Sequence, residues 1–194
     1  VLNCKLLISM RKSLNFTMLL VISTILVGCI GYDEPQFSPS ISSSPFFVNP
    51  VFEGDSLIGA QDTLDMTYDS EDDIYNFDTV YVGDTVLFAT TFYTYNSNLV
   101  TVELSWEKDF LNLWYPLADD ITKVLRDTAN IENGKLYFNP GYNRVSFPIY
   151  FSPKVQGGMN LKLAVESDSE FPISSVSLYI PAKVRVVADS TAVE

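Results

Sequence analysis

The sequence predicts an all-β protein built as a single antiparallel β-sandwich of immunoglobulin-like type. Short stretches in which apolar and polar residues alternate recur from about residue 62 onward, and turn residues separate them at regular spacing. Only residues 119–126 have a helical pattern, which is short enough for a single turn. A β-barrel is the alternative architecture. With 194 residues, the chain has room for one domain, or at most two small ones.

The N-terminal segment has the composition of a secretory leader. Arg11 and Lys12 form a basic start, and residues 18–27 form an apolar stretch. A stretch of that length is well short of the roughly 20 residues that a membrane-spanning helix needs. We therefore expect residues 1–28 to be a signal peptide, with Met10 as the true initiator.

The end of this leader matches a bacterial lipobox, the motif read by the lipoprotein signal peptidase. A branched residue stands three positions before the cut and a small one just before it, and the following Cys29 would receive the lipid. The lipobox residues are Leu26, Val27 and Gly28. The alternative is an uncleaved anchor helix with an incidental cysteine. We expect a protein held at the outer membrane by its lipid, on the periplasmic or the cell-surface side.

Charge and composition exclude several function classes. The chain has 12 basic and 24 acidic residues, a net charge of −12, and removal of the leader leaves nine basic residues and a net charge of −15. Nucleic-acid binding needs a basic surface and is therefore excluded. The sequence has no histidine and two cysteines, which excludes histidine-dependent catalysis, histidine-ligated metals and a disulfide framework. We expect no cofactor.

Residues 29–60 are expected to be the lipidated cysteine followed by a flexible tether. Four prolines and five serines lie between positions 35 and 50 without periodicity. Phe46, Phe47 and Phe52 are unusual in a free linker, so the alternative is that this segment docks on the domain or on a partner.

The sandwich is expected at residues 61–188, with a C-terminal tail at 189–194. Each strand is predicted where apolar side chains recur at every second position. Pro148 has no N–H to donate, so its strand is expected at an edge or with a bulge. The expected strands are 64–68, 78–82, 86–92, 100–106, 135–138, 145–151, 161–165 and 176–180.

This order of segments resembles that of small lipoproteins of the Bacteroidota, in which a lipobox, an acidic tether and one immunoglobulin-like sandwich follow one another. The residues that carry the resemblance are the lipobox, the acidic pair Asp33 and Glu34, and the strand–turn–strand segment 78–86. In that group, acidic residues directly behind the cysteine can direct export to the outer face. Here residues 30–32 intervene.

Trp114 and Tyr115 are the best binding candidates, because exposed aromatic rings stack on sugars or anchor protein interfaces. They precede Pro116 in an expected loop. Trp106 continues the apolar face of its strand and is expected in the core.

Acidic clusters are the remaining candidates. The run at 69–73 is a weak Ca²⁺ candidate through Asp69, Glu71, Asp72 and Asp73, and a solvated turn is the preferred interpretation. Residues 119–120 and 166–170 contain carboxylates that a hydrolase could use, but no motif supports catalysis and no catalytic residue is assigned. We expect a non-enzymatic module that recognises glycan or protein. The alternatives are a structural accessory subunit of an outer-membrane complex and, less favoured, a hydrolase.

Overall fold

The computed structural model describes residues 37–186, which form thirteen strands, one short helix and one 3₁₀ turn. The strands are β1 (Ser40–Ser43), β2 (Phe46–Glu53), β3 (Ser56–Leu64), β4 (Met66–Asp69), β5 (Ile74–Phe77), β6 (Val80–Tyr81), β7 (Val86–Tyr93), β8 (Leu99–Trp106), β9 (Leu111–Trp114), β10 (Lys135–Tyr137), β11 (Arg144–Pro153), β12 (Gly157–Ser167) and β13 (Ile173–Lys183). Helix α1 is Asp119–Val124, as the sequence predicts, and the 3₁₀ turn is Ile131–Asn133.

The strands form two sheets packed face to face, which confirms the all-β sandwich. Sheet A has the order β3-β2-β7-β11-β9, with β1 also paired to β7. Sheet B has the order β10-β8-β12-β13-β5-β4, with β6 also paired to β13. The expected antiparallel pairing holds except that β5 and β6 each run parallel to β13.

Alternating side chains from both sheets build the core. The expected face of β7, formed by Val86, Phe88, Thr90 and Phe92, is fully buried. Phe46 of sheet A contacts Phe77 of sheet B edge to face at 4.6 Å between ring centroids. Aromatic pairs of this kind contribute to stability beyond the contribution of the apolar area that they bury.

The positions of β1, β2 and β3 correct the prediction that residues 29–60 form a flexible tether. Residues 40–43 and then 47–48 pair in succession with the same side of β7, so β1 and β2 together form one interrupted strand of sheet A. Phe46 and Val48 are buried because they point into the core. The folded domain therefore includes residues that we expected in the tether, and the segment 29–36 lies outside the described residues.

The strand of Pro148, β11, is not the edge strand that we expected, because it pairs with β7 and β9, but Pro148 itself lies at a local edge within it. Ala89, its partner on β7, directs its own N–H and C=O to Ser44, so it makes no backbone bond to Pro148. On the other side, pairing with β9 begins only at Tyr150. The missing N–H of Pro148 therefore costs no ladder hydrogen bond.

Candidate functional site: the outer face of sheet A

An aromatic and apolar row crosses the solvent side of sheet A. Register pairs place Trp114 of β9 opposite Tyr150 of β11, Tyr150 opposite Leu87 of β7, and Leu87 opposite Phe47 of β2. Leu87 is only 7% exposed, yet it does not belong to the core cluster between the sheets. Neighbouring side chains on the outer face cover it instead. We call Trp114, Tyr150, Leu87 and Phe47 the aromatic row.

The Trp114 ring is the exposed end of this row. It stacks on the Tyr150 ring with 5.4 Å between centroids and 6° between planes, and 43% of the residue is exposed. Because β9 is the last strand of sheet A, the other face of the indole points away from the sheet. A flat apolar surface held in one orientation by a stacked neighbour is what a sugar ring or an interface side chain needs.

Tyr115 is a correction to the expected binding pair. The residue is only 9% exposed, and its ring packs 5.8 Å from the Phe147 ring centroid in the core. Its hydroxyl donates a hydrogen bond to the Ile131 carbonyl, and burial raises its pKa. Successive residues of an extended chain point to opposite faces, so Tyr115 points inward where Trp114 points outward.

A groove of about 550 Å³ lies at the other end of the same outer face. We call it the Arg144 groove, and its lining residues are Ser42, Thr91, Tyr93, Thr94, Tyr95, Asn143 and Arg144. Arg144 is directly opposite Tyr93 in the register of β11 and β7. Tyr93 and Tyr95 meet edge to face at 5.6 Å, and Phe37 meets Tyr95 at 6.2 Å.

A second groove of about 480 Å³ lies between β11 and helix α1. Arg144 lines this groove as well, together with Tyr142, Ser146 and Asp120 among others. Asp120 Oδ1 accepts a hydrogen bond from the Ile121 backbone N–H. Arg144 therefore borders both grooves from the start of β11.

The β2–β3 hairpin projects past the end of β7 and carries exposed apolar side chains. Asn49 still bonds to Thr85 and Asp84 at the base of the hairpin, and beyond it the two strands pair only with each other among the described residues. The exposed apolar residues at its tip are Val51, Phe52, Leu57 and Ile58. The apolar segment that the sequence indicated is thus divided, because Phe46 is in the core and Phe52 is at this tip, whereas Leu57 and Ile58 were not singled out.

The acidic clusters do not converge. In the turn after β4, Tyr68 donates a hydrogen bond to Asp73, which raises the pKa of the tyrosine, and Asp69 accepts one from the Glu71 backbone. Across residues 37–186, no group of three or more acidic or sulfur side chains has the arrangement of a metal site. Asp119 and Asp120 lie in the first turn of α1. Asp168 is hydrogen-bonded to Asn98.

Trp106 is partly buried and packs against the core cluster, with the Lys108 ammonium 5.1 Å from its ring centroid.

Cys29 and the lipobox lie outside the described residues, so their roles stay predictions. None of the helices in the described part of the chain has the length and apolar character to cross a bilayer.

No protein-family model matches the sequence, and no curated protein matches it significantly. Similar solved structures include a family 123 glycoside hydrolase from Clostridium perfringens, with 16% identity and a TM-score of 0.36 over 77% of this chain and 28% of that chain. The ASH/PapD-like domain of human CEP192 has 12% identity and a TM-score of 0.32, with coverage of 71% and 100%. AggA, the major subunit of aggregative adherence fimbriae type I from Escherichia coli, has 11% identity and a TM-score of 0.31, with coverage of 77% and 100%. This chain spans less than a third of the hydrolase's length.

The sequence analysis did not identify Tyr150 or Arg144 as candidate site residues, and it did not identify the aromatic row on the same face of the sheet. A signal was present, because Tyr150 is an aromatic residue at an outward position of an alternating strand. The same rule separates Trp114 from Tyr115, since Leu111 and Tyr115 are buried at alternate positions.

Proposed function

We propose that this protein is a lipid-anchored module of the cell envelope that binds carbohydrate through the outer face of sheet A. The observation that carries the proposal is the Trp114 ring, exposed on one face and held in place by its stack on Tyr150. Sugar rings present apolar C–H faces that fit such a surface. The architecture is compatible with a binding module because the rigid sheet sets the spacing of these side chains.

Binding without catalysis is the form of the function that we favour. Asp120 is the one carboxylate-bearing residue in the linings of these two grooves. Glycoside hydrolysis uses two carboxyl groups on opposite sides of one bond. The carboxylate of Asp168 accepts hydrogen bonds from Asn98 and supports a turn instead.

A glycan array probed with the full chain in detergent tests carbohydrate binding. Trp114→Ala should weaken any bound glycan at least tenfold, which corresponds to about 1.4 kcal/mol and lies within the range for a stacked ring. Phe171→Ala is the matched control, because this exposed ring lies in the loop between β12 and β13. Array binding that both variants retain equally would contradict the proposed site.

The lipid anchor has its own test. If Cys29 receives the lipid, Cys29→Ser should abolish incorporation of a labelled fatty acid and release the protein from the membrane fraction. Cys4→Ser is the control, because Cys4 precedes the expected initiator and should change neither result. Labelling that persists in Cys29→Ser would refute the anchor.

An accessory role in an outer-membrane complex is the second candidate, and the projecting hairpin favours it. Four exposed apolar side chains at one tip form the kind of surface that protein partners cover. Phe52→Ser combined with Leu57→Ser should then lower the mass of the complex on a native gel of solubilised membranes. An unchanged mass would argue against this role.

A further inference from the structure

Arg144 is an exposed cation without an anionic partner in a strongly acidic protein. Among residues 37–186, the salt bridges are Lys135–Glu103 and Arg185–Asp84. The other two arginines of this range are engaged, since Arg126 donates to the Phe138 carbonyl and Arg185 to Asp84. The chain has twice as many acidic as basic residues, so an arginine left without a carboxylate is notable. Arg144 is exposed and lines both grooves, and a guanidinium carries five N–H donors.

The lining of the Arg144 groove offers what an acidic sugar would need. A guanidinium binds one planar carboxylate through two parallel hydrogen bonds. The hydroxyls of Ser42 and Thr91 and the amide of Asn143 can bond sugar hydroxyls, and the rings of Tyr93 and Tyr95 can contact the apolar faces of the sugar. The groove volume of about 550 Å³ is enough for a small ligand.

The charge distribution favours a ligand with a single acidic group. Arg144 is the one cation in the lining of this groove. The net charge of −12 repels a highly charged polyanion more than a ligand with one charge, and at physiological salt charges farther than about 8 Å from that ligand are largely screened. A lone carboxylate on an otherwise neutral ligand fits both conditions.

The position of the groove favours a saccharide. Arg144 and Tyr150 lie six residues apart on the same face of β11, which is about 20 Å along an extended strand. Ser146 and Pro148 occupy the outward positions between them. One extended oligosaccharide could therefore contact the Arg144 groove and the Trp114 end of the aromatic row together.

We infer that the Arg144 groove binds the carboxylate of a uronic acid residue in an otherwise neutral oligosaccharide. This inference rests on the proposed carbohydrate function and adds the acidic group and the residue that recognises it. Arg144 supplies the specificity for the acid, and the Trp114 ring supplies affinity that does not depend on charge.

The experiment compares pairs of oligosaccharides that differ in one carboxylate. Tetrasaccharides with a single glucuronate or galacturonate, and their carboxyl-reduced counterparts, are titrated calorimetrically into the full chain in detergent. The acidic member should bind at least tenfold more tightly, and the preference should fall as NaCl is raised from 50 to 500 mM. Arg144→Gln should remove the preference, and Arg144→Lys should retain part of it because only the bidentate geometry is lost.

Lys162→Gln is the matched control, because it removes one exposed cation from β12 of sheet B and should leave the preference intact. Thermal melts of each variant check that the domain is folded. Equal affinity for acidic and reduced sugars, with Trp114 still required, would overturn this inference and leave the proposed function standing. A sulfated tetrasaccharide or a phosphotyrosine peptide that binds through Arg144 where uronates do not would also overturn it. Failure of both members of every pair, together with an empty glycan array, would remove the carbohydrate function itself.

Discussion

Asn98 and Asp168 hold each other through both their backbones and their side chains. Asp168 Oδ1 accepts from the Asn98 backbone N–H at 2.6 Å, and Asp168 Oδ2 accepts from Asn98 Nδ2 at 2.8 Å. The Asp168 N–H donates back to the Asn98 carbonyl, and Asn98 Oδ1 accepts from the Gly141 N–H at 2.9 Å. Three loops at one end of the sandwich are tied together by these two residues.

Asp168 should make stability depend on pH in the acid range. The hydrogen bonds from Asn98 hold its pKa below the ordinary value of 3.8. Because the folded pKa is lower than the unfolded one, the ionised carboxylate stabilises the fold above pH 3.8, and this contribution is lost as the pH falls through the folded value.

Asp168→Asn should therefore lower the melting temperature at pH 7 and have a smaller effect at pH 3, as measured by calorimetry. Asp127→Asn is the control, since Asp127 lies exposed in a turn. If the difference in melting temperature between Asp168→Asn and the native chain stayed constant from pH 7 to pH 3, the charge of Asp168 would make no contribution to stability.

Gly134 should tolerate no side chain. It has a φ of 76° after the 3₁₀ turn, and an added Cβ would lie 2.0 Å from the Leu104 carbonyl oxygen. Gly134→Ala should cost more than about 3 kcal/mol in the free energy of unfolding. Gly141→Ala, at a φ of 100° with open space around it, should cost about 1 kcal/mol. Urea denaturation compares the two, and equal losses would mean that strain alone acts at both positions.

Substitutions of Phe46 and Phe52 should have very different effects on the free energy of unfolding, although both residues belong to β2. Phe46 is 2% exposed and packs against Phe88 and Phe77, so Phe46→Ala should destabilise the domain by about 3–5 kcal/mol. Phe52 is exposed at the hairpin tip, so Phe52→Ala should change stability by less than about 1 kcal/mol. Chemical denaturation of both variants measures the difference. A neutral Phe46→Ala would restore the tether that we first expected there.

Asn49 should stabilise the base of the hairpin in two separable ways. It has a φ of 46°, its amide donates to Asp84 and Gln61, and its side-chain oxygen accepts from the Thr85 N–H. Asn49→Ala should lose about 2–3 kcal/mol, since it removes these bonds and adds backbone strain. Asn49→Gly removes the bonds without the strain and should lose about 1 kcal/mol less. Equal losses in thermal melts would assign the whole effect to the hydrogen bonds.

The long alternating strands were predictable, whereas β1, β2, most of β3, β5 and β9 were not, and the expected strand 64–68 is divided between the end of β3 and β4. For β2 the reason is physical. Strands such as β12 bury every second residue and expose the rest, so their pattern has a period of two. In β2 the inward Phe46 and the outward Phe47 are both apolar, because the outer face has an apolar row of its own. Alternation is therefore absent where both faces of a sheet are covered.

The prolines of this segment were a second reason why its strands could not be predicted from the sequence. Pro45 falls in the gap between β1 and β2, and Pro50 lies past the two residues of β2 that pair with β7. Each proline is thus placed where no N–H is required by β7, which the sequence alone does not reveal. The binding face was predictable only for Trp114, because the register that brings Tyr150 and Leu87 beside it depends on pairing across distant strands.

The succession of β1 and β2 along one side of β7 also has a mechanical consequence. From Ser40 to Glu53 the backbone runs in one direction, and an extended run of this length covers about 40 Å. A pull between an attachment upstream of Phe37 and a partner on the hairpin tip would load this single run of backbone along its length. Because both ends of the load lie on this one run, its covalent backbone would carry the tension, and the ladder to β7 would pass little of the force to the other strands. The rest of the domain would then remain largely unloaded, and its outer face would keep its shape under tension.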